Sequence, residues 1–130
     1  MARHILIAED EPIIRETLRF LLTHEGWRVE SVADGDSVMR AVHSRRPAVI
    51  VLDVMMPGRS GFDILRMLRA DPDLAQIPVL ILTARGQSHD RQMACDLQAD
   101  GFITKPFAND QLIQEVRRLL TLRRVGTLAG

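Results

Sequence analysis

The sequence predicts a doubly wound α/β sandwich: five parallel strands in the order 2-1-3-4-5, covered on both faces by five helices. Three observations carry that expectation. Short apolar runs of strand length alternate strictly with segments of helical period, the pattern of a parallel sheet with helical crossovers. The runs at Ala48–Leu52 and Pro78–Leu82 are almost wholly apolar, as strands buried on both faces are. The runs also end in residues suited to phosphoryl chemistry: Ile5–Ala8 in Glu9 and Asp10, Val49–Leu52 in Asp53, Val79–Leu82 in Thr83, and Phe102–Thr104 in Lys105. In such a sheet all carboxyl ends of the strands lie on one edge, where ligands bind.

Each element has its own signal. After the first strand, Glu11-Pro12 opens a helix, with proline suited to its first turn. Ile13, Ile14, Leu18, Leu21 and Leu22 follow a three-to-four spacing, and Glu25-Gly26 closes the helix. A short strand is expected near Arg28–Val32. Asp34-Gly35-Asp36 then leads into a second helix with Val38, Ala41 and Val42 inward, and Pro47 ends that connection. The third strand runs to Asp53, and Pro57, Gly58 and Gly61 mark the loop that follows. A third helix is expected from about Phe62 to Arg69, broken by Asp71-Pro72-Asp73. After the fourth strand, Ser88 is placed to cap a fourth helix reaching about Gln98. The fifth strand lies near Gly101–Thr104. A last helix from Asn109 to about Leu122 carries Leu112, Ile113, Val116, Leu119 and Leu120 on one stripe. Residues 1–122 read as one domain and Arg123–Gly130 as a frayed tail.

Length and composition bound the possibilities. A chain of 130 residues with 46% apolar composition supports one globular core. The formal net charge of zero argues against a general electrostatic grip on nucleic acid, so no direct nucleic-acid binding is expected. No apolar run approaches the ~18 residues of a membrane span, and Met-Ala-Arg-His leads directly into a strand without a signal-peptide core. The expectation is a cytoplasmic domain with no membrane contact. The single cysteine, Cys95, is expected to be a buried, inert thiol beside Met93 and Leu97. The four histidines are scattered and suggest no metal site.

The strand-end residues read together as a magnesium-dependent site with Asp53 as nucleophile. A carboxylate attacking phosphorus must approach a group that is already anionic. A hard divalent cation relieves that repulsion by bridging carboxylates and phosphoryl oxygens, and Glu9 and Asp10 supply the rest of its pocket. Lys105, the only lysine in the chain, is a mobile point cation suited to neutralising charge on the transferred group. The Thr83 hydroxyl can donate to a phosphoryl oxygen. Singly, each residue has a structural alternative: helix capping for Glu9-Asp10, a turn for Asp53, a backbone hydrogen bond for Thr83, a surface loop for Lys105-Pro106. Those alternatives give no reason for all of them to fall at strand ends.

Four blocks then carry a family resemblance: Ile-Leu-Ile-Ala-Glu-Asp-Glu-Pro, Val-Leu-Asp-Val-Met-Met-Pro-Gly-Arg-Ser-Gly, Ile-Leu-Thr-Ala-Arg, and Ala-Asp-Gly-Phe-Ile-Thr-Lys-Pro-Phe. Over residues 4–122 the chain resembles the receiver domain of two-component response regulators. The resemblance implies that Asp53 takes a phosphoryl group from the phosphohistidine of a sensor histidine kinase or phosphotransfer protein. It implies that Asp10, Asp53 and the Met55 backbone carbonyl ligate Mg2+, with Glu9 acting through a water, and that Lys105-Pro106 is cis. Thr83 and Phe102 fall at the positions that switch on phosphorylation. The fourth helix, fifth strand and fifth helix form the face through which such receivers bind a downstream protein partner or a second copy.

This sequence departs from the family pattern at three places. Glu9 stands where aspartate is usual, Phe102 where tyrosine is frequent, and Gly101 where the subgroup attached to winged-helix DNA-binding domains carries an acid. Arg91, Asp96, Asp100, Arg117 and Arg118 otherwise partly resemble the charged dimer face of that subgroup. Met55 and Arg85, two positions after Asp53 and Thr83, are expected to hinder the water that hydrolyses the phosphoryl group.

Rival classes fit less well. An aspartyl-phosphate phosphatase needs a general acid where Met55 stands. A nucleotide switch needs a phosphate loop ending in Gly-Lys-Ser or Gly-Lys-Thr, and a flavin protein a hydroxyl-rich loop where Glu9-Asp10-Glu11 would repel phosphate. The expected activity is a signalling switch that catalyses its own phosphoryl transfer and slow dephosphorylation rather than an enzyme in the usual sense. The alternative is a receiver-like interaction module that works without phosphorylation. These 130 residues contain no DNA-binding domain, so the chain is read either as a stand-alone receiver or as part of a longer regulator.

Overall fold

The structure, a computed structural model, describes residues 4–84 and 88–122. Strands and helices alternate without exception: β1 (His4–Ala8), α1 (Pro12–His24), β2 (Arg28–Val32), α2 (Gly35–Ser44), β3 (Val49–Asp53), α3 (Gly61–Ala70), β4 (Val79–Thr83), α4 (Ser88–Asp96), β5 (Gly101–Thr104) and α5 (Asn109–Thr121). All strand pairs are parallel, in the order β2-β1-β3-β4-β5. The predicted architecture is the observed one, and the boundaries differ by a residue or two.

The all-apolar strands explain the two-sided sandwich. Successive side chains of a strand point to opposite faces. Leu6, Ala8, Ile50 and Leu52 therefore meet Val38, Val42, Leu65 and Leu68 from α2 and α3 in one layer. Ile5, Ile7, Val49 and Val51 meet Leu18, Leu22, Leu112, Val116 and Leu119 from α1 and α5 in the other. A sheet of alternating polarity would have left one of those layers wet.

Helix starts follow their side-chain chemistry. Glu11 caps α1 by accepting from the Ile13 amide, with Pro12 at its start. Asp34 caps α2 by accepting from the Ser37 amide at 2.8 Å. Ser60 and Asp63 form a reciprocal capping box on α3. Gly61 permits a close approach, because a Cβ there would lie 2.3 Å from the Asp53 carbonyl oxygen. The start of α3 is thereby pressed against the end of β3. The expected Ser88 cap cannot be placed, since its side chain lies outside the described residues, as do Arg85 and the tail from Arg123 to Gly130.

Two expectations about burial are corrected. Ile13 is 76% exposed rather than on the inward stripe of α1. Positions 13, 17, 20 and 24 form their own helical row, and that row faces outward with Phe20 and His24 stacked on it. Cys95 is exposed, not buried. It lies two positions from both Met93 and Leu97, about 200° round the helix from each. Ala94 takes the inward place instead.

Candidate functional site

Adjacent strand ends bring three carboxylates together. Ala8 pairs with Leu52 across β1 and β3, so Glu9 and Asp10 leave the sheet beside Asp53. One oxygen from each of Glu9, Asp10 and Asp53 lies within 4.8 Å of the others. Glu9 and Asp53 are 0% and 2% exposed, whereas Asp10 faces solvent. The Glu9 amide still donates to the Val32 carbonyl at 3.1 Å, which fixes where the turn begins. The Arg15 guanidinium then donates to the carbonyls of Glu9 and Asp10 at 2.9 and 3.3 Å and holds the turn in place.

Lys105 reaches this cluster from the end of β5. Its Nζ lies 2.7 Å from Glu9 Oε1 and 3.3 Å from Asp53 Oδ1. No hydrogen bond of good angle reaches Glu9 Oε1 among the described residues, so the shorter contact is an ion pair. The Lys105-Pro106 peptide is cis, as the resemblance implied. The Lys105 amide donates to the Thr83 carbonyl at 2.7 Å, which ties the ends of β4 and β5 together. Asp53 Oδ1 accepts from the Met55 amide at 3.4 Å, while the Met55 side chain stands 56% exposed at the rim.

Among the described residues, charge at the site is not balanced. Burial raises the pKa of the Asp53 carboxyl and the Glu9 charge raises it further, against Lys105 and the Met55 amide, so that it is pushed up to about 7. Burial opposes the Lys105 ammonium, but its contact with Glu9 and the charge of Asp53 outweigh burial and raise its pKa. Three carboxylates facing one ammonium is a donor set that fits a hard divalent cation bound through oxygen.

Thr83 is fully buried at the neighbouring strand end, and its Oγ1 donates to Oδ2 of Asp90 at 3.2 Å. Asp90 is itself only 3% exposed and sits in the first turn of α4. Nothing in the sequence singles it out, because an acid in a first turn reads as an ordinary complement to the helix dipole. Phe102 is half-buried on β5, and the Arg91 guanidinium lies 4.6 Å from the centre of its ring.

The charges assigned to the interaction face are mostly occupied within the chain. Asp100 is nearly buried, paired with Arg69 at 2.9 Å and accepting from the Val79 amide. Arg118 pairs with Glu115 and donates to the Asp100 carbonyl. Arg117 pairs with Glu25 and lies over the Trp27 ring, and Asp96 accepts from Gln92.

Comparison with known proteins agrees with this geometry. The response regulator receiver domain family matches residues 5–117, and the chain belongs to that family. Over 129 residues the chain is 37% identical to the phosphate regulon transcriptional regulatory protein PhoB of Escherichia coli (strain K12), covering 99% of this chain and 56% of PhoB. It spans about half the length of the curated relatives it matches. The signal receiver domain of a signal transduction histidine kinase from Syntrophus aciditrophicus is similar at a TM-score of 0.86 and 36% identity, covering 99% of this chain and 95% of that one. The receiver domain of sensor histidine kinase PA1611 from Pseudomonas aeruginosa PAO1 has a TM-score of 0.86 at 27% identity, covering 94% of this chain and all of that one. Its structure holds a magnesium ion coordinated in the active site cleft. The class is therefore a receiver module of phosphorylation-dependent two-component signalling. Among the described residues, no helix is long and apolar enough to cross a membrane.

Proposed function

We propose that Asp53 accepts a phosphoryl group from the phosphohistidine of a sensor histidine kinase or phosphotransfer protein. An Asp53 oxygen forms a bond to phosphorus as the bond from phosphorus to the histidine nitrogen breaks, and the freed imidazole takes up a proton from solvent. Glu9, Asp10, Asp53 and the Met55 carbonyl would hold Mg2+, which supplies charge neutralisation between the attacking carboxylate and the phosphoryl oxygens. Lys105, already against Asp53, neutralises charge on the transferred group. The observation that carries the reading is the meeting of buried Asp53 and Glu9 with the exposed Asp10 carboxylate and the chain's one lysine.

Phosphorylation draws the Thr83 hydroxyl toward the new anion, and Phe102 follows it inward. These shifts change the α4-β5-α5 face, which then binds a downstream protein or a second copy of the chain. Because Asp100, Arg117 and Arg118 are engaged within the protomer, such a contact requires side chains to exchange partners. Residues 1–122 make up the receiver unit, and the domain acts in the cytoplasm without contacting nucleic acid itself.

Incubation with acetyl phosphate and magnesium, followed by intact-mass analysis, tests the reading. One phosphoryl adduct is expected in the wild type, and none in Asp53→Asn or without magnesium. A folded protein that forms no adduct would point to an interaction module working without phosphorylation.

A further inference from the structure

Asp90 is a buried acid that the phosphoryl-transfer chemistry does not use. We infer that it is a positioning residue, a latch that holds Thr83 in the unphosphorylated arrangement and competes with the phosphoryl group for the Thr83 hydroxyl proton. The inference rests on the phosphoacceptor reading of Asp53 and adds to it the group that sets the resting state.

The argument begins with proton count. A threonine hydroxyl has one hydrogen to donate. In this structure the hydrogen is directed to Asp90 Oδ2, with the oxygens 3.2 Å apart. A phosphoryl oxygen on Asp53 needs the same hydrogen, so the two anionic acceptors exclude one another. Thr83 is fully buried and Asp90 is 3% exposed, so water does not freely replace a lost partner on either side. The contact therefore belongs to one state alone, and its strength sets part of the energy gap between the two states.

Its position makes the contact more than local. Among the described residues of α4, only Asp90 and Ala94 are buried, so apolar packing holds this helix weakly. The next residue, Arg91, lies over the Phe102 ring. One turn of α4 thus carries a polar contact to Thr83 and a cation–π contact to Phe102. Withdrawing the Thr83 hydroxyl loosens the start of α4 and, with it, the guanidinium covering Phe102.

The probe is beryllium fluoride, titrated calorimetrically at fixed excess magnesium as a mimic of the phosphoryl group. Asp90→Ala is expected to bind about tenfold more tightly than wild type. That corresponds to about 1.4 kcal/mol, at the low end for a hydrogen bond to a charged group. Asp90→Asn keeps an accepting oxygen without the charge, so it is expected to gain less, about threefold by the same relation. In a Thr83→Val background, where no hydroxyl is left to release, Asp90→Ala is expected to change nothing. Binding no tighter in Asp90→Ala than in wild type overturns the latch, as does an equal gain with and without the Thr83 hydroxyl. If Asp90→Ala does not fold, Asp90→Asn decides alone, and the absence of a gain overturns the latch. Failure of the wild type itself to bind the probe overturns the parent reading, and the latch with it.

Discussion

Replacing Asp53 by asparagine should stabilise the protein when no divalent cation is present. The substitution keeps shape and removes one charge from a cleft where Glu9 and Asp10 converge and, among the described residues, Lys105 opposes them. Burial and the Glu9 charge raise the Asp53 carboxyl from 3.8 to about 7. A raised acid pKa means that the folded protein holds a proton the unfolded chain would release. The associated stability is full below the unfolded value and is lost as pH rises toward 7. At ~1.4 kcal/mol per unit the whole shift is worth about 4 kcal/mol. Water at the mouth of the cleft and the mobile Lys105 screen much of it, leaving about 1–2 kcal/mol. Asp53→Asn should therefore raise the melting temperature at pH 8 in chelator by roughly 3–8 °C, with a smaller gain at pH 5. Millimolar magnesium should stabilise the wild type and leave the variant nearly unmoved. Thermal melts at the two pH values, with and without magnesium, read all of this. A variant less stable than wild type at pH 8 in chelator, or a gain larger at pH 5, would refute the electrostatic account.

Three further outcomes follow from neighbouring residues. Lys105→Ala leaves two buried carboxylates without their cation and should cost about 2–4 kcal/mol in chelator by urea unfolding, with part of the loss recovered on adding magnesium. Gly61→Ala forces a Cβ against the Asp53 carbonyl, 2.3 Å away, and should destabilise the fold by about 1–3 kcal/mol while slowing adduct formation with acetyl phosphate. Met55→Ala opens the rim two positions after Asp53 and should shorten the lifetime of the phosphoryl adduct in a time course after donor removal; an unchanged lifetime would remove Met55 from that role.

What could be read from the chain, and what could not, divides along physical lines. The wholly apolar runs at β3 and β4 have only one comfortable environment, the middle of a covered parallel sheet, so the architecture followed from pattern, while the strand order came by analogy with doubly wound folds of this kind. Once strand ends share an edge, Glu9, Asp10, Asp53 and Lys105 must meet, and they do. Asp90 and Arg15 were not legible. Each acts through a partner chosen by tertiary geometry, Thr83 in one case and the Glu9 and Asp10 carbonyls in the other, and an acid or arginine near a helix start carries no mark of such a partner. The same holds for Asp100, whose place in the sequence carries no mark of its pair with Arg69. Ile13 and Cys95 were misplaced because apolar residues one or two positions apart on a helix point in different directions, and composition alone does not say which row turns inward.

The most direct test of the central claim locates the phosphoryl group itself. An acyl phosphate on aspartate is reduced by borohydride to homoserine, which marks the residue permanently. After treatment with acetyl phosphate and magnesium, reduction and peptide mapping, homoserine is expected at position 53 and at no other acid. Homoserine at Asp10 or Asp90, 5-hydroxynorvaline (the product a glutamyl phosphate would leave) at Glu9, or phosphorylation without any reducible acyl phosphate, would contradict the account.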